Sequence, residues 1–266
     1  MTSAWTGPDA PPAARDARTR PALRALVLAA ADDELILGHR HSEWTGFAPD
    51  IESDVALSSI AQEEMGHARV LYEQVAALDG IDIDRLVFGR SPDAFRNAVF
   101  LERPNGDWAF TVVRAWLYDL ADAVRLAALA ASPLGTFAAL ARTLQREEKY
   151  HLLFSDAWLV RLTRSGPDGR ARIQAAVEAA WPEALGIFEA TPEGSALVEA
   201  GMLAPAPEGQ AARWDADVRA RLAALGLDVP VADARTGGRV GRHTPDLAAL
   251  LDEMTSVWRT DPSARW

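Results

Sequence analysis

Gln62-Glu-Glu-Met-Gly-His-Ala68 and Gln145-Arg-Glu-Glu-Lys-Tyr-His151 share one pattern, a glutamate three residues ahead of a histidine: Glu64 with His67, and Glu148 with His151. On a helix that spacing places both side chains on one face, on adjacent turns. The surrounding sequence is helical in period. Leu57, Ile60, Ala61, Ala68, Leu71 and Val75 form one apolar stripe, and Phe137, Leu140, Leu144, Ser155 and Trp158 another. The predicted helices run over 51–78, with Asp50 as N-cap, and over 136–162. Each Glu-His pair therefore sits in a stripe that faces a core. A buried, unpaired carboxylate is costly, so these residues need a common partner.

Two further helices supply one carboxylate each. The segment 21–43 sets Leu23, Val27, Ala30, Leu37 and His41 inward with Glu34, and Arg24, Asp32 and Arg40 outward. The segment 107–131 aligns Val112, Trp116, Ala123 and Leu126 with Asp119. In an antiparallel hairpin two residues are level only when the turn lies midway between them. Glu34 and Glu64 are 30 residues apart with their midpoint at Pro49, inside the turn Thr45-Gly-Phe-Ala-Pro49. Asp119 and Glu148 are 29 apart, with their midpoint in Ser132-Pro-Leu-Gly135. Two hairpins joined by a long crossover, each bringing ligands to one height, predict an all-α, ferritin-like four-helix bundle with a two-metal carboxylate site. The expected metal residues are Glu34, Glu64, His67, Asp119, Glu148 and His151. Asp122, one turn from Asp119, is the alternative ligand on the third helix, or an acceptor for a ligating imidazole. Glu63, Glu147 and Asp33 are expected on solvated faces. His39, His41 and His243 lack an E-x-x-H partner; Arg40 and His41 are candidates for the site entrance.

The rest of the chain is organised around that bundle. A tail over 1–20, rich in Pro and Asp, is expected to be disordered, and 21–266 reads as one helical domain, with the core bundle over about 21–165. The crossover from 80 to 106 carries a short helical segment at 92–100. Beyond about 166 a C-terminal layer is expected, with helices at 170–189, 208–225 and 245–259 and a Gly-rich loop at 236–244.

Composition narrows the chemistry. With 266 residues and 49% hydrophobic content the chain can bury a sizeable core. A net charge of −11 argues against nucleic acid or an anionic membrane as partner, since both need clustered Lys and Arg. No apolar stretch reaches the length of a membrane span and no signal-like segment opens the chain, so a cytoplasmic location is expected. There is no cysteine, so any metal takes nitrogen and oxygen ligands. Four carboxylates and two imidazoles favour two iron ions, with manganese as the alternative, over calcium or structural zinc. Glu64 and Glu148 are the expected bridging ligands, Glu34 and Asp119 terminal ones. Dioxygen chemistry at such a pair covers hydroxylation, epoxidation and ferroxidase work. No nucleotide fingerprint is present, so no flavin, nucleotide or iron–sulfur cluster is expected in this chain, and an oxygenase of this kind needs a separate reductase.

Several longer stretches carry a resemblance: Ser42-Glu-Trp-Thr-Gly-Phe-Ala-Pro49, Arg103-Pro-Asn-Gly-Asp-Trp108, Tyr150-His151 with Phe154-Ser155, Thr236-Gly-Gly-Arg-Val-Gly-Arg-His-Thr244 and the terminal Trp266. On these the sequence, from about Leu23 to Trp266, resembles the C-type components (PaaC) of multicomponent phenylacetyl-CoA epoxidases, the ring 1,2-oxygenases of bacterial phenylacetate degradation. The resemblance implies three partners, namely an A-type catalytic oxygenase component, a B-type bridging component and a flavin/iron–sulfur reductase, and it implies a CoA thioester as substrate. It also implies a point of departure: many such components have lost metal ligands and act as scaffold, whereas here all six residues are present. A non-catalytic structural component of that complex, or a stand-alone ferritin-like di-iron oxidase, is the competing reading. The C-terminal layer and the loop 236–244, with Arg239 and Arg242, are the expected contact surface for a partner.

Overall fold

The computed structural model describes residue 14 and residues 16–264. Most of the expected tail over 1–20, and Trp266, lie outside the described residues. Helix α1 (Thr19–Ser42) pairs with α2 (Ile51–Asp79) across the turn placed by Pro49, and Asp50 caps α2 by accepting the Ser53 N–H at 2.8 Å. The crossover holds two short helices, α3 (Ile83–Phe88) and α4 (Val99–Glu102), where a single segment at 92–100 was expected; Pro92–Ala94 is only a 3-10 turn. The second hairpin is α5 (Trp108–Ala130) and α6 (Thr136–Arg164). Among the described residues there is no strand, and no helix is long and apolar enough to cross a membrane. The fold is an all-α, ferritin-like bundle.

Gly38 explains how closely the first hairpin packs. A Cβ there would come within 3.0 Å of the Glu64 Cβ and 3.2 Å of the Ala61 carbonyl oxygen, so the two helices touch backbone to side chain at the height of Glu64.

The C-terminal layer begins with α7 (Pro167–Ala184), which lies on α4, α5 and α6, and continues through a 3-10 turn at Leu185–Phe188 to α8 (Ser195–Glu199). Then come α9 (Pro207–Ala224), packed on α5, and α10 (Pro245–Met254) and α11 (Ser256–Thr260). The last two replace one expected helix over 245–259, interrupted at Thr255. Trp214 anchors the layer: it stacks on Trp181 at 5.2 Å, and its indole N–H donates to the Leu117 carbonyl on α5 at 3.0 Å. Both rings are fully buried.

This layer corrects the expectations for one side of α1. The helical period sets Asp32 and Arg40 on the outer face and Asp33 towards solvent, but α4 and α8 cover that side, and all three residues are buried. Asp32 is held by Arg90, the Tyr72 hydroxyl and the Arg96 N–H, while Arg40 donates to the Glu102 carbonyl and to Glu43. The loop over 236–244 was expected to offer Arg239 to a partner; instead Arg239 is buried and grips Asp33 through two hydrogen bonds of 2.8 Å. Its glycines permit this approach, since a Cβ on Gly238 would lie 2.0 Å from the Asn97 carbonyl oxygen. Arg125 adds a third bond to Asp33 at 2.7 Å. Burial alone would push the Asp33 carboxyl up; Arg239 and Arg125 outweigh it and hold it below its ordinary value.

Candidate metal centre

Midway along the bundle one ligand atom each from Glu34, Glu64, His67 and Glu148 lies within 4.8 Å of all the others. His67 Nδ1 stands 3.1 Å from Glu148 Oε1 and 3.5 Å from Glu34 Oε2. His151 Nδ1 stands 3.3 Å from Glu148 Oε2 and 3.4 Å from Glu64 Oε1, and the two imidazoles stack with centroids 6.0 Å apart. Glu148 therefore touches both rings. Asp119 is outside the group of four; it is buried on α5, its Oδ2 accepting the Ser155 hydroxyl at 2.5 Å. Burial, and then the charge of Glu148, raise its carboxyl to about 8.

The hydrogen bonds around this cluster are one-sided. Glu34 Oε1 accepts the Tyr118 hydroxyl at 3.0 Å, but its Oε2 has no hydrogen-bond partner. Asp119 Oδ1, both carboxylate oxygens of Glu64, both of Glu148, and Nδ1 of His67 and of His151 are likewise buried without one. Buried polar atoms are nearly always satisfied, and eight of the fifteen exceptions among the described residues belong to these six residues. That arrangement fits a cation: each orphaned atom is a metal-ligand type, and each outward atom that is bonded fixes its side chain in place. A buried carboxylate–imidazole cluster of this kind can hold metal. Burial opposes protonation of His67, but Glu148 and Glu34 outweigh it and push it up to about 12; His151 is raised in the same way by Glu148 and Glu64. Glu64, with no outward bond, is raised by burial and by the charges of Glu34 and Glu148.

Sequence reasoning missed the outer support. Glu63 and Glu147 do not face solvent alone: Glu147 Oε2 lies 2.7 Å from His67 Nε2, and Glu63 Oε2 lies 2.8 Å from His151 Nε2. Each therefore holds the imidazole of the opposite hairpin. The repeated Glu-Glu-x-x-His pattern was the available signal. Asp122, the alternative imidazole acceptor, is instead bound to Arg125 at 2.8 Å. Burial outweighs that guanidinium and lifts its carboxyl to about 8. His243, which has no E-x-x-H partner, pairs with Glu102 at 2.9 Å. His41 is buried with neither ring nitrogen partnered; burial, then the charge of Arg114, keep it neutral well below its ordinary value.

Residues 9–266 match the family model described as phenylacetic acid catabolic protein. The chain belongs to that family. Among its curated relatives, the C component of the 1,2-phenylacetyl-CoA epoxidase of Escherichia coli (strain K12) is 35% identical over 246 residues. The match spans 92% of this chain and 99% of the relative. Family membership agrees with the resemblance read from the sequence motifs.

Proposed function

We propose that the chain is the C-type component of a multicomponent phenylacetyl-CoA epoxidase of aerobic phenylacetate degradation, and that it carries a di-metal site of its own. The observation that supports the site is the set of eight buried ligand atoms without a hydrogen bond on Glu34, Glu64, His67, Asp119, Glu148 and His151, four of these residues bringing ligand atoms within 4.8 Å of one another. Glu148 lies against both histidines and Glu64 against His151, and these two with Glu34, Asp119, His67 and His151 would hold the metal. Iron is the metal of choice, for a mixed carboxylate–imidazole donor set suits it, and bound iron supplies dioxygen activation. Around it, the Tyr118 hydroxyl orients Glu34, Ser155 orients Asp119, and Glu63 and Glu147 orient the imidazoles. Electrons come from a reductase, and the partners are the A-type and B-type components in the cytoplasm, with a CoA thioester as substrate.

The depth of the cluster favours a second reading, in which the metal is a structural staple in a non-catalytic component: all six residues are 3% exposed or less. One experiment separates the two. The chain is loaded anaerobically with iron, its metal content measured, and oxygen consumption followed with phenylacetyl-CoA, reductase and the co-purified A-type and B-type components. Loss of turnover on replacing Glu148 in this chain alone supports the catalytic reading; full turnover with Glu148→Ala supports the staple. About two irons per chain are expected in either case, and turnover by the isolated chain with a generic reductant would replace both with a self-sufficient oxidase.

A further inference from the structure

A cavity of about 120 Å³ lies between α1, α5 and the C-terminal layer. Its walls include Leu26, Leu126, Leu129, Phe188, Leu197 and Leu203. Apart from Thr191, the polar side chains that reach it are already engaged. Arg125 is bound to Asp33 and Asp122, and Arg239 to Asp33; Glu189 accepts the Gly237 and Arg239 N–H groups, and Gln210 donates to the Pro205 carbonyl. A buried water needs about two to four polar partners, and these walls offer few that are free. Nor do they offer an anion site, because both guanidiniums are neutralised by carboxylates. Apolar cavities of about 150 Å³ lined by Leu, Ile and Phe stay dry and take up xenon or benzene.

We propose that this cavity is a binding site for a small, uncharged, apolar molecule, between a single gas atom and a six-carbon ring in size. The cavity belongs to the way the fold is assembled. Helices α1 and α5 make one side, and the turn at Leu185–Phe188 with α8 and the start of α9 makes the other, so the C-terminal layer creates it, with a mouth at the exposed Ala190. Asp122, one turn of α5 from Asp119, is among its lining residues, which sets the cavity near the carboxylate–imidazole cluster. The site stands whether or not the cluster holds metal.

The test uses the full chain. Crystals are pressurised with xenon, and thermal unfolding is followed with benzene and, separately, with benzoate. Xenon is expected between Leu126 and Phe188. Benzene is expected to raise the Tm by about 2–4 °C near saturation, and benzoate to leave it unchanged. Xenon uptake without a benzene shift supports the site and limits its ligand to gas-sized molecules. Ala30→Phe, which fills the space from α1, should abolish both effects. Leu129→Ala, which enlarges the space, should admit para-xylene and guards against a filling variant that does not fold. Absence of xenon together with no benzene shift, ordered water filling the chamber, or stabilisation by benzoate in place of benzene would each overturn the proposal.

Discussion

Glu147 on α6 lies beside His67 on α2, Oε2 to Nε2 at 2.7 Å, and the same contact is repeated in reverse by Glu63 of α2 and His151 of α6 at 2.8 Å. The two Glu-Glu-x-x-His segments thus exchange partners: one glutamate of each faces inward, and the preceding one clamps the ring of the facing helix. The contact leaves Nδ1 of each imidazole turned into the cluster. A carboxylate on the far nitrogen fixes ring orientation and raises ligand basicity.

Removing that clamp should weaken metal binding without removing a ligand. Glu147→Gln, and equally Glu63→Gln, is expected to lower affinity by about 10-fold, and the double variant by up to about 100-fold. Competition titration with cobalt(II) measures it. Unchanged affinity in the double variant would show that packing alone orients the rings.

Replacing an inward residue has the opposite balance of effects. Both carboxylate oxygens of Glu64 lack hydrogen-bond partners and face the charges of Glu34 and Glu148. Glu64→Gln should leave the metal-free Tm within about 2 °C, because burial already raises the Glu64 carboxyl and Gln keeps the shape of its neutral form, yet abolish stoichiometric metal uptake and the rise in Tm that metal confers. Retention of the full metal complement, measured by elemental analysis, would contradict the assignment of Glu64.

Arg239 and Asp33 form a buried ion pair across the two halves of the chain. Arg239→Met removes one partner and leaves Asp33 with Arg125 and the Ala98 N–H; the expected loss is about 3–5 kcal/mol in urea unfolding. Asp33→Asn with Arg239→Met should lose less than the sum of the single changes, since the pair is removed together. Strict additivity would show that the two residues act separately.

His41 gives a pH signature. Its folded form stays neutral well below the ordinary value of 6.5, held there by burial first, with Arg114, His151 and Glu148 as the charges that act on it. The unfolded chain takes up this proton as pH falls below about 6.5 and the folded chain does not, so the His41 contribution to stability is full above that pH and declines below it. His41→Leu should therefore be less sensitive than the parent between about pH 6.5 and 5, in denaturant midpoints measured at each pH. Parallel profiles would mean that folded His41 is protonated after all.

The E-x-x-H pairs, the apolar stripes and the matched hairpin offsets were all legible in the linear sequence. They depend on the 3.6-residue period, which decides locally which side chains share a helix face, and on turn positions marked by Pro and Gly. The period and the turn positions together set Glu34, Glu64, His67, Asp119, Glu148 and His151 at one height with no knowledge of neighbouring elements. It says nothing about what covers the opposite face of a helix. Asp33 and Asp32 read as solvated because a hairpin helix taken by itself needs only one buried side; packing of α4, α8 and the 236–244 loop against α1 turns them into buried anions held by Arg239, Arg125 and Arg90. The exchange between Glu147 and His67, and the engagement of Asp122 by Arg125, were decided in the same way. A charged side chain chooses its partner by distances across an interface, and those exist only once helices far apart in sequence are packed together.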